Sequence, residues 1–482
     1  MISSATNRIH VSSEVGKLRR VLIHSPDSGL GKVVPSKAQD WLFEDIVHLD
    51  TIRASEYDHY VKLLLYFLDE KKIRGRLSDI DASKNHRNFY KPDHPDFYRS
   101  DQVVELQLLL MDILEDTAIK SQLVASVCAL EACSYEVQRR LMGYAPAVLA
   151  RVFFSGTSDE SELIFPPIPN FIFTRDIGIV INNCILLNKP KKEARKREAL
   201  IAKYIFFHHP MFADYRQNII ELMDKEHHFL MPNDSETEKV TLEGGDVMVV
   251  SENHVVIGIS ERTNSEAAAQ AVKALFDRNV VEKVSVIKIP SKRDYMHIDT
   301  VFTQVKADVW VMLGDFSTER MKGLRTDEIQ YVLGVHPRTV LKLEIHQFKK
   351  GNVAAPRSFQ SLEELLVDIS ISDFGCPPEN VRILLSGNNQ FPYDAREQWT
   401  DSCNLLALGN GVVLGYDRND KTTEAFRDAG FKVTKVEHLL IQLEEGRVHV
   451  DELADTLVLM PSAELSRARG GFHCMSMPLL RD

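Results

Sequence analysis

The apolar positions of this chain fall into a recurring unit: a short apolar run, two or three polar turn residues, and a second apolar run. Residues 173–181 break at Asn182-Asn183 and resume over 184–187, and residues 246–250 break at Ser251-Glu252-Asn253 and resume over 254–259. Residues 300–305 turn at Lys306-Ala307-Asp308 and return over 309–313. Residues 404–408 turn at Gly409-Asn410-Gly411 and return over 412–416. Apolar runs bounded by such turn residues predict β-hairpins. Helical patterns follow several of them, over 265–278 and 422–429, and residues 18–24 read as a fifth copy. A hairpin–helix unit repeated about a centre brings the starts of several strands together at one end.

The stretch 102–142 has a different period. Leu106, Leu109, Leu110, Ile113 and Leu114 stand at i, i+3, i+4, i+7 and i+8, an amphipathic helix stripe. A second helix is predicted over 121–141. We read 100–150 as a helical insertion, its leucine stripe packed on the main body, within a single domain over 1–482. Two stretches look like additions to the repeated core. Residues 358–389 carry a helical pattern over 362–369 and then Pro377-Pro378; residues 436–457 are rich in Glu and Leu. Structural elaboration and an oligomer contact both stay open for them.

Composition narrows the class. The 482 residues are 44% hydrophobic and 26% charged, ordinary for a globular protein, with a net charge of −11. No long basic tract appears, which argues against a nucleic-acid partner. The N-terminus has no apolar signal core, and no apolar run approaches the ~20 residues of a membrane helix. The six cysteines, Cys128, Cys133, Cys184, Cys376, Cys403 and Cys474, form no Cys-x-x-Cys pair. Neither a zinc site nor a disulfide framework is indicated, and reduced thiols in a cytoplasmic protein are expected. Asn233-Asp234-Ser235 is a chance glycosylation sequon on this reading.

One cysteine stands apart. Cys474 follows Arg467-Ala468-Arg469-Gly470-Gly471-Phe472-His473. Glycines let backbone approach a ligand closely, and nearby arginines would favour a thiolate. Upstream lie Asp176, the pair Glu243 and Asp246 around two glycines, and His297 with Asp299. In a strand, His297 and Asp299 would share a face. Each motif alone reads as turn, core or surface decoration, with a buried Arg175–Asp176 pair as the bland reading of that dipeptide. Together, converging carboxylates need a cation, either a metal ion or an organic cation such as a guanidinium, which two carboxylates can grip. A thiol with a histidine in reach suits covalent attack on a polarised carbon.

At this point the chain resembles the arginine deiminases of the guanidine-modifying superfamily. The resemblance is carried by 170–176 (Asn-Phe-Ile-Phe-Thr-Arg-Asp), Glu243-Gly244-Gly245-Asp246, 258–263, Met296-His297-Ile298-Asp299, Arg396-Glu397-Gln398-Trp399 with Asn404, and the Gly470-Gly471-Phe472-His473-Cys474 ending. Residues 13–24 and Leu42-Phe43-Glu44-Asp45 match as well. The resemblance implies an α/β fold, a fivefold pseudosymmetric α/β propeller, with no metal and no organic cofactor. It implies hydrolysis of L-arginine to L-citrulline and ammonia through a covalent cysteine–thiouronium. Cys474 would be the nucleophile and His297 the general acid and base. Asp176 and Asp299 would grip the guanidinium, and Glu243 would contact it and help move protons. Asp246 would hold the α-amino group; Asn170, Arg195 and Arg262 would bind the α-carboxylate. Phe173 would line the pocket, and Arg469 would sit on a gating loop.

The chain departs from the family pattern in places. Tyr57 stands where a histidine is common, Ala468 replaces a glycine, and Ser402-Cys403 replaces a glycine-alanine pair. Extra residues lie around 340–390 and 437–458. The competing readings are another guanidine-modifying activity (methylarginine hydrolase or amidinotransferase), a non-catalytic arginine-binding protein, and a metal hydrolase. The expected partner is the small molecule alone; a homo-oligomer is left open.

Overall fold

Three-stranded β-units explain how distant motifs meet. The computed structural model describes residues 8–38, 40–41, 45–82, 89–159, 162–224, 239–317 and 343–482. Among these, the strands form five sheets, each built on one pattern: two antiparallel strands, then a third running parallel to the second. In one sheet Gly178–Ile181 and Cys184–Leu187 are antiparallel and Ile219–Ile220 lies parallel. Val247–Ser251, His254–Ile259 and Lys283–Lys288 repeat this. So do Phe302–Lys306, Val309–Met312 and Arg382–Leu385, and Leu406–Gly409, Val412–Tyr416 and Thr456–Met460. The fifth sheet joins the two ends of the chain: Met477–Arg481 pairs antiparallel with Leu18–Ile23, which pairs parallel with Val103–Glu105.

The four expected hairpins are present, and the fold is mixed α/β. The third, parallel strand of each sheet corrects two readings. Arg382–Leu385 and Thr456–Met460 fall in or at the edge of the stretches read as additions, yet each completes a repeated sheet. The added structure is instead the hairpin Glu344–Lys349 and Asn352–Phe359, which pairs with Lys283–Lys288 and extends that sheet to five strands. The expected strand 173–181 is shorter than read, because Pro169–Ile172 and Thr174–Ile177 are 3₁₀ turns. Leu42, Phe43 and Glu44, and the sequon at Asn233, lie outside the described residues.

The helical stretch contains Leu106–Leu114, Thr117–Leu130, Tyr135–Gly143 and Pro146–Ser155. The single helix expected over 121–141 is therefore two. Ala132 takes a φ of 51°, which an α-helix excludes, and Ser134 restarts the next helix by accepting from Val137 N–H. The leucine stripe is buried as expected, in a core shared with the helix Lys196–His208 and the sheets that begin at Gly178–Ile181 and Val247–Ser251.

Candidate active site

The short segments entering the first strand of each sheet meet at one place. Asp176 precedes Gly178, Glu243 and Asp246 precede Val247, His297 and Asp299 precede Phe302, Asn404 precedes Leu406, and Cys474 precedes Met477. Three of these entries are 3₁₀ turns: Thr174–Ile177, Gly244–Asp246 and Ile298–Thr300. Glycine makes the approach of the segments feasible by its lack of a side chain. A Cβ on Gly245 would sit 2.5 Å from His297 Nδ1, and one on Gly471 would sit 2.3 Å from Asn404 O. The bend belongs to Arg469, whose φ is 61°.

A small cavity opens here, with a volume of ≈ 30 Å³, about the share of one water in the liquid. Cys474, His297, Glu243 and Asp176 line it, with Asn170, Phe173, Arg195, Arg262 and Arg469. Met296 and Thr300, which the sequence reading missed, complete it. Asp299 and Asp246 do not line it; both are fully buried behind it. His297-Ile298-Asp299 is not a strand, so the histidine and the aspartate serve different neighbours. His297 Nε2 lies 3.0 Å from Glu243 Oε2. Asp299 Oδ2 lies 3.5 Å from Cys474 Sγ and accepts from His473 Nδ1 at 2.9 Å.

The sulfur is fixed by Asn404. Its Nδ2 donates to Cys474 Sγ at 3.1 Å, while its Oδ1 accepts from Cys474 N–H at 3.0 Å. Burial pushes the Cys474 thiol well up, and the Asp299 and Asp176 carboxylates push it further; Asn404 pulls the other way. The two arginines expected to favour a thiolate are engaged elsewhere. Arg467 donates to Asp45 at 2.9 Å, and Arg469 lies over the Trp399 ring, 3.9 Å from its centroid.

The carboxylates do hold an organic cation, and it belongs to the protein. Arg195 Nη1 donates to Asp176 Oδ2 at 2.8 Å and to Glu243 Oε2 at 3.0 Å, while Nε donates to Glu198 Oε2 at 3.0 Å. Arg262 Nη1 lies 3.8 Å from Glu243 Oε1. Burial alone would raise Glu243; the Arg195 charge and the His297 hydrogen bond outweigh it and hold the carboxyl well below its usual range. For His297, burial opposes the charged form, but Asp176, Glu243 and Asp246 prevail and raise the imidazole to about 10. Asp246 accepts from Ser260 Oγ at 2.6 Å and from Ile298 N–H at 3.0 Å; burial lifts it to about 7. Asp176, Glu243 and His297 offer donor atoms within 4.8 Å of one another, a set able to take a metal ion, but Arg195 already bonds two of the three.

A second layer carries residues the sequence reading did not place. Arg175 pairs with Glu14, not with Asp176, and its Nη2 donates to His473 Nε2 at 2.6 Å. That contact leaves the ring proton on Nδ1, directed at Asp299. His473 and Asn404 stand inside quoted motifs, so their spacing signalled them. Glu198 stands three residues after Arg195 on the same helical turn, a signal that was available and unused.

A family model described as arginine deiminase matches residues 146–481. The chain is 28% identical to the arginine deiminase of Borreliella afzelii over 99% of this chain and 98% of that one. It is 28% identical to that of Listeria monocytogenes serotype 4a, over 98% of each. A solved amidinotransferase from Microseira wollei covers 98% of this chain at 13% identity, with a TM-score of 0.46. Because the matched family model spans more than half the chain and includes every segment that lines the cavity, the chain belongs to the arginine deiminase family.

Proposed function

We propose that this cavity carries out the family's reaction, the hydrolysis of L-arginine to L-citrulline and ammonia, with Cys474 as nucleophile. The observation that supports it most is that a guanidinium, that of Arg195, already lies between Asp176 and Glu243 in the cavity that Cys474 lines. The site therefore has the shape and charge of a guanidinium receptor beside a thiol.

In this reading Asp176, with Asp299 behind the sulfur, holds the substrate guanidinium, and Glu243 contacts it. The substrate's positive charge offsets the carboxylates that raise the thiol, so the thiol releases its proton to solvent and the thiolate forms as the substrate binds. Sγ bonds to the guanidinium carbon. His297, protonated at rest, gives its proton to the departing nitrogen, and the C–N bond breaks with release of ammonia. The neutral imidazole then takes a proton from water, which adds to the thiouronium carbon. The C–S bond breaks and citrulline leaves. Asn170, Arg195 and Arg262 receive the α-carboxylate, Asp246 supports the α-amino end from behind Ile298, Phe173 walls the pocket and Arg469 gates it.

The same reading extends to the scaffold. Five sheets of one pattern, closed by pairing of the chain's two ends, support a fivefold pseudosymmetric α/β propeller. Residues 1–482 form one catalytic unit, with 100–150 as a helical insertion. Six unpaired cysteines suit a reducing, cytoplasmic setting; among the described residues no helix is long and apolar enough to cross a membrane.

The deciding experiment is product release from L-arginine by the purified protein in EDTA. Equal citrulline and ammonia are expected. Ornithine, transfer to an added amine, or loss of turnover on chelation would overturn the reading.

A further inference from the structure

The cation between Asp176 and Glu243 has a consequence for which guanidines can enter. Arg195 is 3% exposed, and its Nη2 has no hydrogen-bond partner. Its Nη1 takes one oxygen from each carboxylate that would meet a substrate guanidinium first. The cavity that remains holds about one water and cannot admit an amino acid beside this side chain. Two guanidiniums competing for the same pair of carboxylates repel each other, so entry of one requires departure of the other. A guanidinium that leaves its partners while still buried must find another anion, because an unpaired buried charge is strongly unfavourable. Glu198 keeps Nε and has one oxygen without a hydrogen-bond partner, but it does not line the cavity, so the anion that Nη1 loses there is not replaced within the cavity.

We propose that Arg195 is the placeholder cation of the empty site and sets specificity by ion-pair exchange: a substrate displaces it from Asp176 and Glu243 only by offering it a carboxylate in return. The inference rests on the deiminase reading and deepens it. Arginine delivers both charges on one molecule, the guanidinium for the carboxylates and the α-carboxylate for Arg195. A guanidine without a carboxylate, such as agmatine, delivers only the first and leaves Arg195 with Glu198 alone. Arg195 thus does more than anchor a carboxylate: it opposes every ligand that lacks one. Arg262 does not share this role, since its nearest approach to the pair is the 3.8 Å contact with Glu243 Oε1.

The two roles separate in an experiment. An anchor alone predicts that losing Arg195 weakens arginine and leaves agmatine unaffected. Exchange predicts that losing it weakens arginine and strengthens agmatine. Wild type, Arg195→Ala and Arg195→Gln would be compared for arginine KM and for agmatine binding by calorimetry on the full chain. The glutamine keeps hydrogen-bonding capacity toward the three carboxylates, in case the alanine variant does not fold. At least a tenfold rise in arginine KM and at least a tenfold tightening of agmatine are expected. Agmatine binding unchanged or weakened in a variant that melts cooperatively overturns the exchange. Because agmatine binding is read without turnover, that result differs from failure of the deiminase reading, which would appear as wild type releasing no citrulline.

Discussion

Replacing Asn404 by alanine tests how this site makes a nucleophile. Asn404 is 1% exposed and is the group whose hydrogen bond at 3.1 Å favours charge on Cys474 Sγ against burial, Asp299 and Asp176. A hydrogen bond to a charged group contributes about 1.5–3 kcal/mol. Its loss raises the Cys474 thiol further, by that free energy. At a pH where the thiol is mostly protonated, kcat/KM then falls by about 10- to 150-fold. The alanine also strands the Cys474 backbone N–H, so a stability loss of about 1–3 kcal/mol accompanies it. Asn404→Asp separates the two effects. It keeps an oxygen to accept from Cys474 N–H, but it places another carboxylate beside the sulfur, so its thiol shift is upward while its stability loss is smaller. The assay is alkylation of Cys474 by iodoacetamide as a function of pH, followed on the Cys474 peptide by mass spectrometry, with a thermal melt alongside. A Cys474 profile in Asn404→Ala that overlays wild type would refute the electrostatic account.

Three further outcomes are expected. Cys474→Ala abolishes citrulline release and leaves calorimetric arginine binding measurable; turnover near wild type would exclude a covalent route. Gly470→Ala places a Cβ 2.3 Å from Phe173 Cε1, so the ring must move; a stability loss of about 1–3 kcal/mol is expected from overpacking, partly recovered by adding Phe173→Leu, and an unchanged melt would contradict the packing. The His297 imidazole sits at about 10 against an ordinary 6.5, so its stabilising contribution is complete below about pH 6.5 and is lost as pH rises toward 10. Wild-type denaturant stability should fall across that window by an order of a few kcal/mol, and His297→Asn should flatten the slope; parallel slopes would remove His297 as its source.

The sequence was most legible where one local pattern sufficed. Asn182-Asn183 and Gly409-Asn410-Gly411 mark hairpin turns by themselves, and the Leu106–Leu114 stripe needs only its own period. The third strands were harder to read. Arg382–Leu385 and Thr456–Met460 are short and pair in parallel with strands far back in sequence, so no turn residue announces them. The site divided along a similar line. Identities such as Cys474 and His297 came from motifs, whereas pairings did not. The resemblance makes Arg195 a ligand for a carboxylate of the substrate, yet here it answers three carboxylates of the protein. A listing of charges and spacings left open whether the needed cation was a metal or a ligand; it did not contain the third choice, a side chain from the chain itself.

The pairing of the two ends has a temporal consequence. Arg481 Nη1 donates to Gly16 O, 465 positions earlier in the chain. At the ~5–20 residues per second of protein synthesis, Leu18–Ile23 waits roughly half a minute to a minute and a half for its antiparallel partner. Until then one of its edges is open and must be shielded, by chaperones or by its own neighbours, from pairing with another chain. Cys474 emerges just before that partner strand, so a nascent polypeptide carries the guanidinium-binding carboxylates well before it carries the thiol. The thiol and the strand that closes the sheet joining the two ends arrive together, and a product truncated before residue 474 would lack both.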